Sequence, residues 1–173
     1  MLEVLRSYLR RLRCRYLMLR YPNLKIGYGT SVAGCFRFKG TGRVVIGSGC
    51  RLVGVSLDVD GDLAIGARCF LNGTAIVCRK AVAIDELCLI SDAYITDTDF
   101  HNLEPELRHL PPGPKATRPV QVGRNVWVGD RVAILKGSVI NEDAVIGSNA
   151  VVRGSIPARA VCIGNPAQIV KYL

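Results

Sequence analysis

The sequence predicts an all-β protein, a parallel β-helix of triangular coils with an amphipathic helix at its N-terminus and one protruding loop. Three observations predict this fold class. An aliphatic residue recurs every six positions in the C-terminal half, at residues 122, 128, 134, 140, 146 and 152. Upstream, Ile46, Ile65 and Ile84 are nineteen residues apart, close to three six-residue units. Glycine is plentiful, at 18 of 173 residues, whereas aromatic residues make up only 6%, which is typical of many short strands and tight corners.

The six-residue period has a simple physical basis. Alternate side chains of a strand point to opposite faces, so the aliphatic residue faces inward and a small residue after it turns the corner. Three units make one coil of about eighteen residues, and each coil hydrogen-bonds to the next about 4.8 Å away. An α-helix would need a period near 3.6, and a propeller would need repeats of about 40 residues. Cys50, Cys69 and Cys88 share the nineteen-residue spacing, so we expect reduced thiols stacked inside the coils rather than metal ligands.

Three segments follow from this pattern. Residues 1–21 form a basic amphipathic helix, residues 22–164 form the β-helix with a loop at 97–119, and residues 165–173 form a closing turn or short helix after Asn165–Pro166. The helix carries an apolar stripe and several arginines; the stripe consists of Leu2, Leu5, Leu9, Leu12, Tyr16 and Leu19, and the arginines are Arg6, Arg10, Arg11, Arg13, Arg15 and Arg20. Two interpretations stay open: a cap on the first coil, or a peripheral contact with anionic lipids.

The localisation expected from the sequence is cytoplasmic, with the inner membrane as a possible site of peripheral contact. No apolar run approaches the roughly 20 residues that span a bilayer. Arginines interrupt every apolar stretch near the N-terminus, so no secretory pattern is present.

The 97–119 loop is the one break in the repeat and therefore the expected place for chemistry. It contains five of the eight prolines and both histidines, and long loops on a rigid scaffold are commonly functional. His101 lies where the last strand of a coil leaves the solenoid, whereas His109 has no motif around it. A histidine can act as a general base near neutral pH. We predict no metal site, because two histidines are too few for a three-histidine zinc centre.

Together with the repeats, three segments carry a family resemblance: Thr98–Asn102, Asn125–Gly129 and the ending Gly164–Ala167. On these residues the chain, from about 26 to 173, resembles the hexapeptide-repeat acyltransferases, which include sugar and xenobiotic acetyltransferases and polysaccharide O-acetyltransferases. The resemblance implies a left-handed β-helix, a homotrimer with active sites between subunits, acetyl-coenzyme A as donor and a sugar or saccharide as acceptor.

The resemblance also implies roles for individual residues. His101 would be the catalytic base, with Asn72 and Asp99 contacting the substrate. The acetyl-coenzyme A site would be formed by Trp127, Gly129, Asp130, Gly147, Ser148, Arg153 and Lys171. In that site the backbone amides of Gly129 and Asp130 would face the thioester oxygen, and the two basic side chains would face phosphates. Arg79 and Lys80 stand where several relatives have an acidic residue near the acceptor, which favours an anionic acceptor.

The predicted function is O-acetyl transfer to a sugar hydroxyl, in bacterial surface polysaccharide or lipopolysaccharide synthesis. One alternative is N-acetylation of a nucleotide-linked amino sugar, and another is a non-catalytic solenoid that serves as a binding module. The net charge of +9 is compatible with a nucleic acid partner. However, the basic residues are dispersed and stackable aromatics are scarce, so we expect no nucleic acid partner.

Overall fold

The computed structural model describes residues 2–173, except for the side chains of residues 2–8, 10 and 11. Within that description the chain forms one long α-helix, α1 (Leu2–Arg20), followed by short strands and two single 3₁₀ turns at Pro105–Leu107 and Pro114–Ala116. The strands are β1 (Leu24–Ile26), β2 (Ser31–Ala33), β3 (Arg37–Lys39), β4 (Arg43–Ile46), β5 (Arg51–Val53), β6 (Ser56–Val59), β7 (Asp62–Ile65), β8 (Phe70–Asn72), β9 (Ala75–Cys78), β10 (Ala81–Ile84), β11 (Leu89–Ser91), β12 (Tyr94–Thr96), β13 (Val120–Val122), β14 (Trp127–Val128), β15 (Ala133–Ile134), β16 (Val139–Ile140), β17 (Val145–Ile146), β18 (Val151–Val152), β19 (Ser155–Ile156), β20 (Ala160–Ile163) and β21 (Gln168–Tyr172).

Every third strand joins the same sheet, so successive coils stack into a prism with three faces. Sheet A has the order β1-β4-β7-β10-β13-β16-β19, sheet B has β2-β5-β8-β11-β14-β17-β20-β21, and sheet C has β3-β6-β9-β12-β15-β18. Pairing between coils is parallel, and Ile46, Ile65, Ile84 and Val122 lie in register on four successive coils. This arrangement confirms the predicted parallel β-helix.

The interior is filled by the aliphatic residues of the repeat and by thiols. Cys50, Cys69 and Cys88 are buried, and each thiol donates to a backbone carbonyl of the next coil at 3.1 Å. Cys78 is also buried; burial and, after it, the negative charge of Asp97 raise the pKa of its thiol to about 12. The column of Cys50, Cys69 and Cys88 therefore packs inside the coils as small buried side chains, as the nineteen-residue spacing predicted.

The C-terminal segment differs from the expectation. Residues 164–167 form a turn, but the segment after it is a strand, β21, and not a short helix. β21 pairs antiparallel with β20, so Val161 lies opposite Lys171. The physical reason is that the last coil would otherwise expose unpaired N–H and C=O groups along its edge, and a returning strand satisfies them.

Helix α1 covers the first coil, but not with the face that the sequence suggested. Cys14 and Leu17 are buried against the coil, and the Arg13 guanidinium donates to the Gly34 carbonyl at 2.6 Å. Four members of the predicted apolar stripe are exposed instead: Leu9, Leu12, Tyr16 and Leu19. The side chains of Leu2, Leu5, Arg6, Arg10 and Arg11 lie outside the described residues. Among the helices that the structure describes, none has both the length and the apolar character needed to cross a bilayer.

Candidate active site at the break in the solenoid

The 97–119 loop leaves the solenoid through its two ends, residues 97–100 and 116–118, which are here called the neck. Asp97 fixes the neck in place. Asp97 is 0% exposed, and its carboxylate accepts backbone N–H bonds from Arg79 (2.8 Å), Lys80 (2.6 Å) and Ala81 (2.9 Å) of the previous coil. Charge-assisted bonds of this kind are about twice as strong as neutral ones. The start of the loop is thereby fixed to a rigid corner of the solenoid.

Beyond Asp97 the two legs of the loop run side by side. The Arg118 N–H donates to the Asp97 carbonyl and the Asp99 N–H donates to the Ala116 carbonyl, both at 2.9 Å. The Phe100 N–H donates to the Thr98 hydroxyl at 3.0 Å, and Phe100 has a φ of 66°. A positive φ is costly for a bulky residue and is maintained only where the surroundings enforce it. This bend directs the chain into His101, which is exposed at the end of the neck.

Asn102 closes the remainder of the loop upon itself. Its amide nitrogen lies 2.8 Å from the Leu107 carbonyl and 3.1 Å from the Pro111 carbonyl, and its amide oxygen accepts the Gly113 N–H at 2.8 Å. The Asn102 side chain thus supplies hydrogen bonds that hold this segment together, because its prolines exclude the regular backbone hydrogen bonding of a strand. The second histidine, His109, is exposed within the part of the loop that the Asn102 side chain holds together.

His101 borders a small cavity of about 110 Å³. Its lining includes Asp99, Lys115 and Lys136. The Lys136 side chain is 16% exposed, forms an ion pair with the Asp99 carboxylate and donates to the Lys115 carbonyl at 2.8 Å. Asp99, which was predicted to contact substrate, is therefore also tied to the coil after the loop. The cavity brings together an imidazole, a carboxylate and an ammonium group.

The residues predicted to hold acetyl-coenzyme A lie mainly on another face. Trp127 is 56% exposed on the outer surface of sheet B, as strand alternation predicted. It lies in register with Leu89 and Val145 on the neighbouring coils. Gly129 and Gly147 follow at the adjoining corner, and Ser148 and Asp130 are exposed beside them. The result is an apolar surface on sheet B with a corner that lacks bulky side chains.

The predicted role of the Gly129 amide is wrong. Its N–H donates to the Ile146 carbonyl at 2.8 Å, and the Gly147 N–H donates to the Cys162 carbonyl at the same distance. Both amides belong to the ladder between coils, so neither can also bind a thioester oxygen. The absence of a side chain at Gly129 has a packing reason instead, because a Cβ there would lie 2.9 Å from the Ser148 backbone nitrogen.

One chain does not bring the two sets of predicted residues together. His101 and Asp99 follow β12 at the corner between sheets C and A, which lies opposite sheet B in a three-sided coil. Asn72 ends β8 on sheet B, in register with Ser91, and therefore belongs with the Trp127 face. Lys171 lies on β21 at the edge of the same sheet. Arg153 follows β18 and so lies on the His101 side.

In the basic pair, Arg79 is already paired with carboxylates, whereas Lys80 is exposed. The Arg79 guanidinium lies 2.8 Å from the Asp58 carboxylate and 3.4 Å from that of Asp60. Its hydrogen bond is the main reason that the pKa of Asp58 is held below its ordinary value. Because two carboxylates already offset this charge, the preference for an anionic acceptor loses its main support.

Sequence reasoning missed three residues that shape the site: Asp97, Asn102 and Lys136. A signal existed for Asp97, which is an acidic residue directly after a strand at the position where the repeat stops. Asn102 lies within the segment that carried the resemblance, but its contacts with loop carbonyls have no sequence pattern. Across the described residues, no group of three or more His, Cys, Asp or Glu side chains is arranged to hold a metal ion.

Comparisons with known proteins agree with this architecture. Residues 119–154 match the family model described as bacterial transferase hexapeptide (six repeats). Over 114 residues, 65% of this chain, the sequence is 32% identical to a probable acetyltransferase of Mycobacterium tuberculosis. Over 70 residues, 40% of this chain, it is 41% identical to a putative lipopolysaccharide biosynthesis O-acetyl transferase, WbbJ, of Escherichia coli K12. These matches cover 38% and 33% of the two relatives, so the chain spans little more than a third of their length.

Solved structures show the same fold. A hexapeptide-repeat acetyltransferase of Vibrio cholerae, complexed with acetyl-coenzyme A, matches with a TM-score of 0.69 and 20% identity over 94% of this chain and 78% of its own. An N-acyltransferase of Bacillus cereus, in complex with dTDP and coenzyme A, matches with a TM-score of 0.63 and 17% identity over 86% and 83%. The repeat, the solenoid and these relatives agree: residues 119–154 match the hexapeptide repeat of bacterial transferases, and the chain has the fold of hexapeptide-repeat acetyltransferases.

Proposed function

We propose that the chain transfers an acetyl group from acetyl-coenzyme A to a sugar hydroxyl, with His101 as the general base. The observation that carries this proposal is the rigid presentation of an exposed imidazole at the single break in the solenoid. His101 takes the proton of the acceptor hydroxyl as its oxygen bonds to the thioester carbon. When the C–S bond breaks, the same imidazole returns that proton to the thiolate of coenzyme A.

The donor fits the surface of sheet B. Trp127 and Leu89 offer an apolar floor for the pantetheine arm. Lys171 adds a positive charge at the edge of this face for a phosphate. Because this face lies opposite His101 within a chain, we propose a homotrimer in which His101 and Asp99 of one subunit meet Asn72 and Trp127 of the next.

The acceptor class rests on similarity. The match to a putative lipopolysaccharide O-acetyl transferase supports a saccharide of the bacterial surface. The fold shared with an N-acyltransferase crystallised with dTDP keeps N-acetylation of a nucleotide-linked amino sugar as the second candidate. We place the reaction in the cytoplasm, where acetyl-coenzyme A is available.

The test is an acceptor screen that follows thiol release from acetyl-coenzyme A. A Cys35→Ser variant should be used, because Cys35 is the exposed cysteine of the described chain and would react with the thiol reagent. Monosaccharides, sugar nucleotides and lipid-linked oligosaccharides serve as acceptors, and each product is treated with mild alkali. We expect acceptor-dependent release and a product that loses acetate in alkali, as esters do. An alkali-stable product would indicate N-acetylation instead of O-acetylation. If none of the acceptors caused thiol release, the proposal would be contradicted.

A further inference from the structure

Helix α1 uses one face to cover the solenoid and leaves another face open. Toward the first coil it presents Cys14, Leu17 and Met18; the Ile26 N–H donates to the Met18 sulfur at 3.3 Å. Tyr21, just after the helix, packs edge-on against Phe38 with ring centroids 5.0 Å apart. These contacts anchor the C-terminal half of the helix, so the helix does not depend on its other face for attachment.

The open face is an apolar row, here named the outer stripe: Leu9, Leu12, Tyr16 and Leu19. Their exposed fractions are 55%, 42%, 63% and 83%. Spacings of three and four residues place them on one side of the helix, away from Cys14 and Leu17. A row of four large apolar side chains in water is unfavourable, and on a folded protein it commonly marks a contact surface.

The charge of the segment indicates what the outer stripe meets. Residues 1–21 contain six arginines and one glutamate, a net charge of +5 out of +9 for the whole chain. Arg15 and Arg20 are exposed, and helical spacing places them on either side of the outer stripe. An apolar row between cations, with a tyrosine in it, is the pattern of a helix that lies in the interface of a bilayer.

We propose that the outer stripe and its flanking arginines bind the surface of an anionic membrane, with α1 lying parallel to it. The leucines and Tyr16 enter the boundary between headgroups and acyl chains, and the guanidinium groups contact anionic headgroups. A second copy of the helix is a poorer occupant, because it would bring two segments of charge +5 together. This inference does not rest on acetyl transfer, so its failure would leave the proposed function untouched.

Sedimentation with lipid vesicles tests the proposal on the full chain. Vesicles of pure phosphatidylcholine are compared with vesicles that also contain phosphatidylglycerol, at low and at raised salt. The parent should bind the anionic vesicles, and binding should fall as salt screens the arginines. Leu12→Gln/Leu19→Gln should weaken binding at least tenfold, since two of the four exposed apolar side chains of the stripe become polar. Arg15→Gln/Arg20→Gln should weaken it roughly 10–30-fold, because each arginine near such a surface is worth about a fivefold change.

The matched control is Leu103→Gln/Leu110→Gln, which makes the same chemical change at two exposed leucines of the 97–119 loop. It should bind vesicles as the parent does. All four substituted positions of the helix are exposed, so circular dichroism and the melting temperature should stay at the parent values. Equal binding to neutral and anionic vesicles, no binding by the parent, or unchanged binding by both helix variants would overturn the proposal. A drop in the mass of the assembly for Leu12→Gln/Leu19→Gln, without vesicle binding by the parent, would assign the outer stripe to a second copy instead.

Discussion

The coils and the 97–119 loop are held in shape by different kinds of hydrogen bond. In the coils, the backbone of each strand bonds to the same position one coil away, and Ile46, Ile65 and Ile84 repeat this contact in register. In the loop, a few backbone bonds are supplemented by two side chains, Asp97 at the neck and Asn102 within the loop. The coil contacts are many and equivalent, whereas each loop contact is made once. A single substitution can therefore release the loop, whereas in the coils the largest effects are expected from a change that separates two coils or leaves a cavity in the core.

The largest expected effect concerns activity. Because His101 is the proposed base, His101→Ala should lower turnover by roughly 10²–10⁴-fold while coenzyme A binding is unchanged. Steady-state kinetics and equilibrium binding of coenzyme A measure the two quantities. His109→Ala, in the same loop, is the control and should retain turnover near that of the parent. If His109→Ala lost the activity and His101→Ala kept it, the base would be misassigned.

The next effect concerns the neck. Asp97→Ala leaves three partly buried N–H groups without their acceptor, so the free energy of unfolding should fall by about 3 kcal/mol. Urea unfolding followed by circular dichroism gives this value. Asp62→Ala, which removes an exposed carboxylate from the outer face of sheet A, should change it by less than about 0.5 kcal/mol. Equal effects of the two variants would show that the Asp97 bonds do not hold the loop.

A pair of glycine substitutions compares the two regions directly. A Cβ at Gly66 would lie 2.5 Å from the Glu86 nitrogen, so Gly66→Ala must push two coils apart and should cost about 1–3 kcal/mol of unfolding free energy. At Gly113, in the loop, the nearest atom to an added Cβ is 3.5 Å away and φ is −73°. Gly113→Ala should therefore stay within about 0.5 kcal/mol of the parent. A more harmful change at Gly113 would reverse the ranking of the two regions.

The smallest expected effect is local. Asn102→Ala removes the staple of the loop but no contact between coils, so the melting temperature should not change. Amide hydrogen exchange should rise about tenfold or more within residues 103–113 and nowhere in the coils. Asn149→Ala, which removes a partner of Arg131 at a solenoid corner, should leave exchange in the loop unchanged. Faster exchange throughout the chain would show that loop and solenoid open together.

The same difference explains how much of the fold could be predicted from sequence. A period of six residues determines where strands lie, because the same side-chain packing recurs in every coil. The face of α1 that meets the first coil could not be read in this way. The face that packs on the coil carries few apolar side chains, such as Cys14 and Leu17. The more regular row of leucines, which a sequence pattern would select, is exposed. β21 was missed because its pairing compensates for an open edge that exists only once the coils are stacked.

The candidate site was predictable as far as the break in the repeat. That break led to His101, and strand alternation gave the exposure of Trp127. The ion pair between Asp99 and Lys136 joins residues far apart in the chain and has no sequence period. The Gly129 amide was misjudged because its partner, the Ile146 carbonyl, belongs to the next coil and is not marked by any side chain.

The proposed site is completed by two chains, because one chain places His101 opposite the Asn72 and Trp127 face. The direct test mixes two inactive variants: His101→Ala, and Asn72→Ala/Trp127→Ala. In randomly mixed trimers, about a quarter of the sites would combine an intact His101 half with an intact sheet B half. Co-refolding the two variants should therefore restore about a quarter of the parent activity. Mixing His101→Ala with His101→Ala/His109→Ala should restore none. No recovery in the first mixture, although light scattering shows mixed trimers, would contradict a shared site.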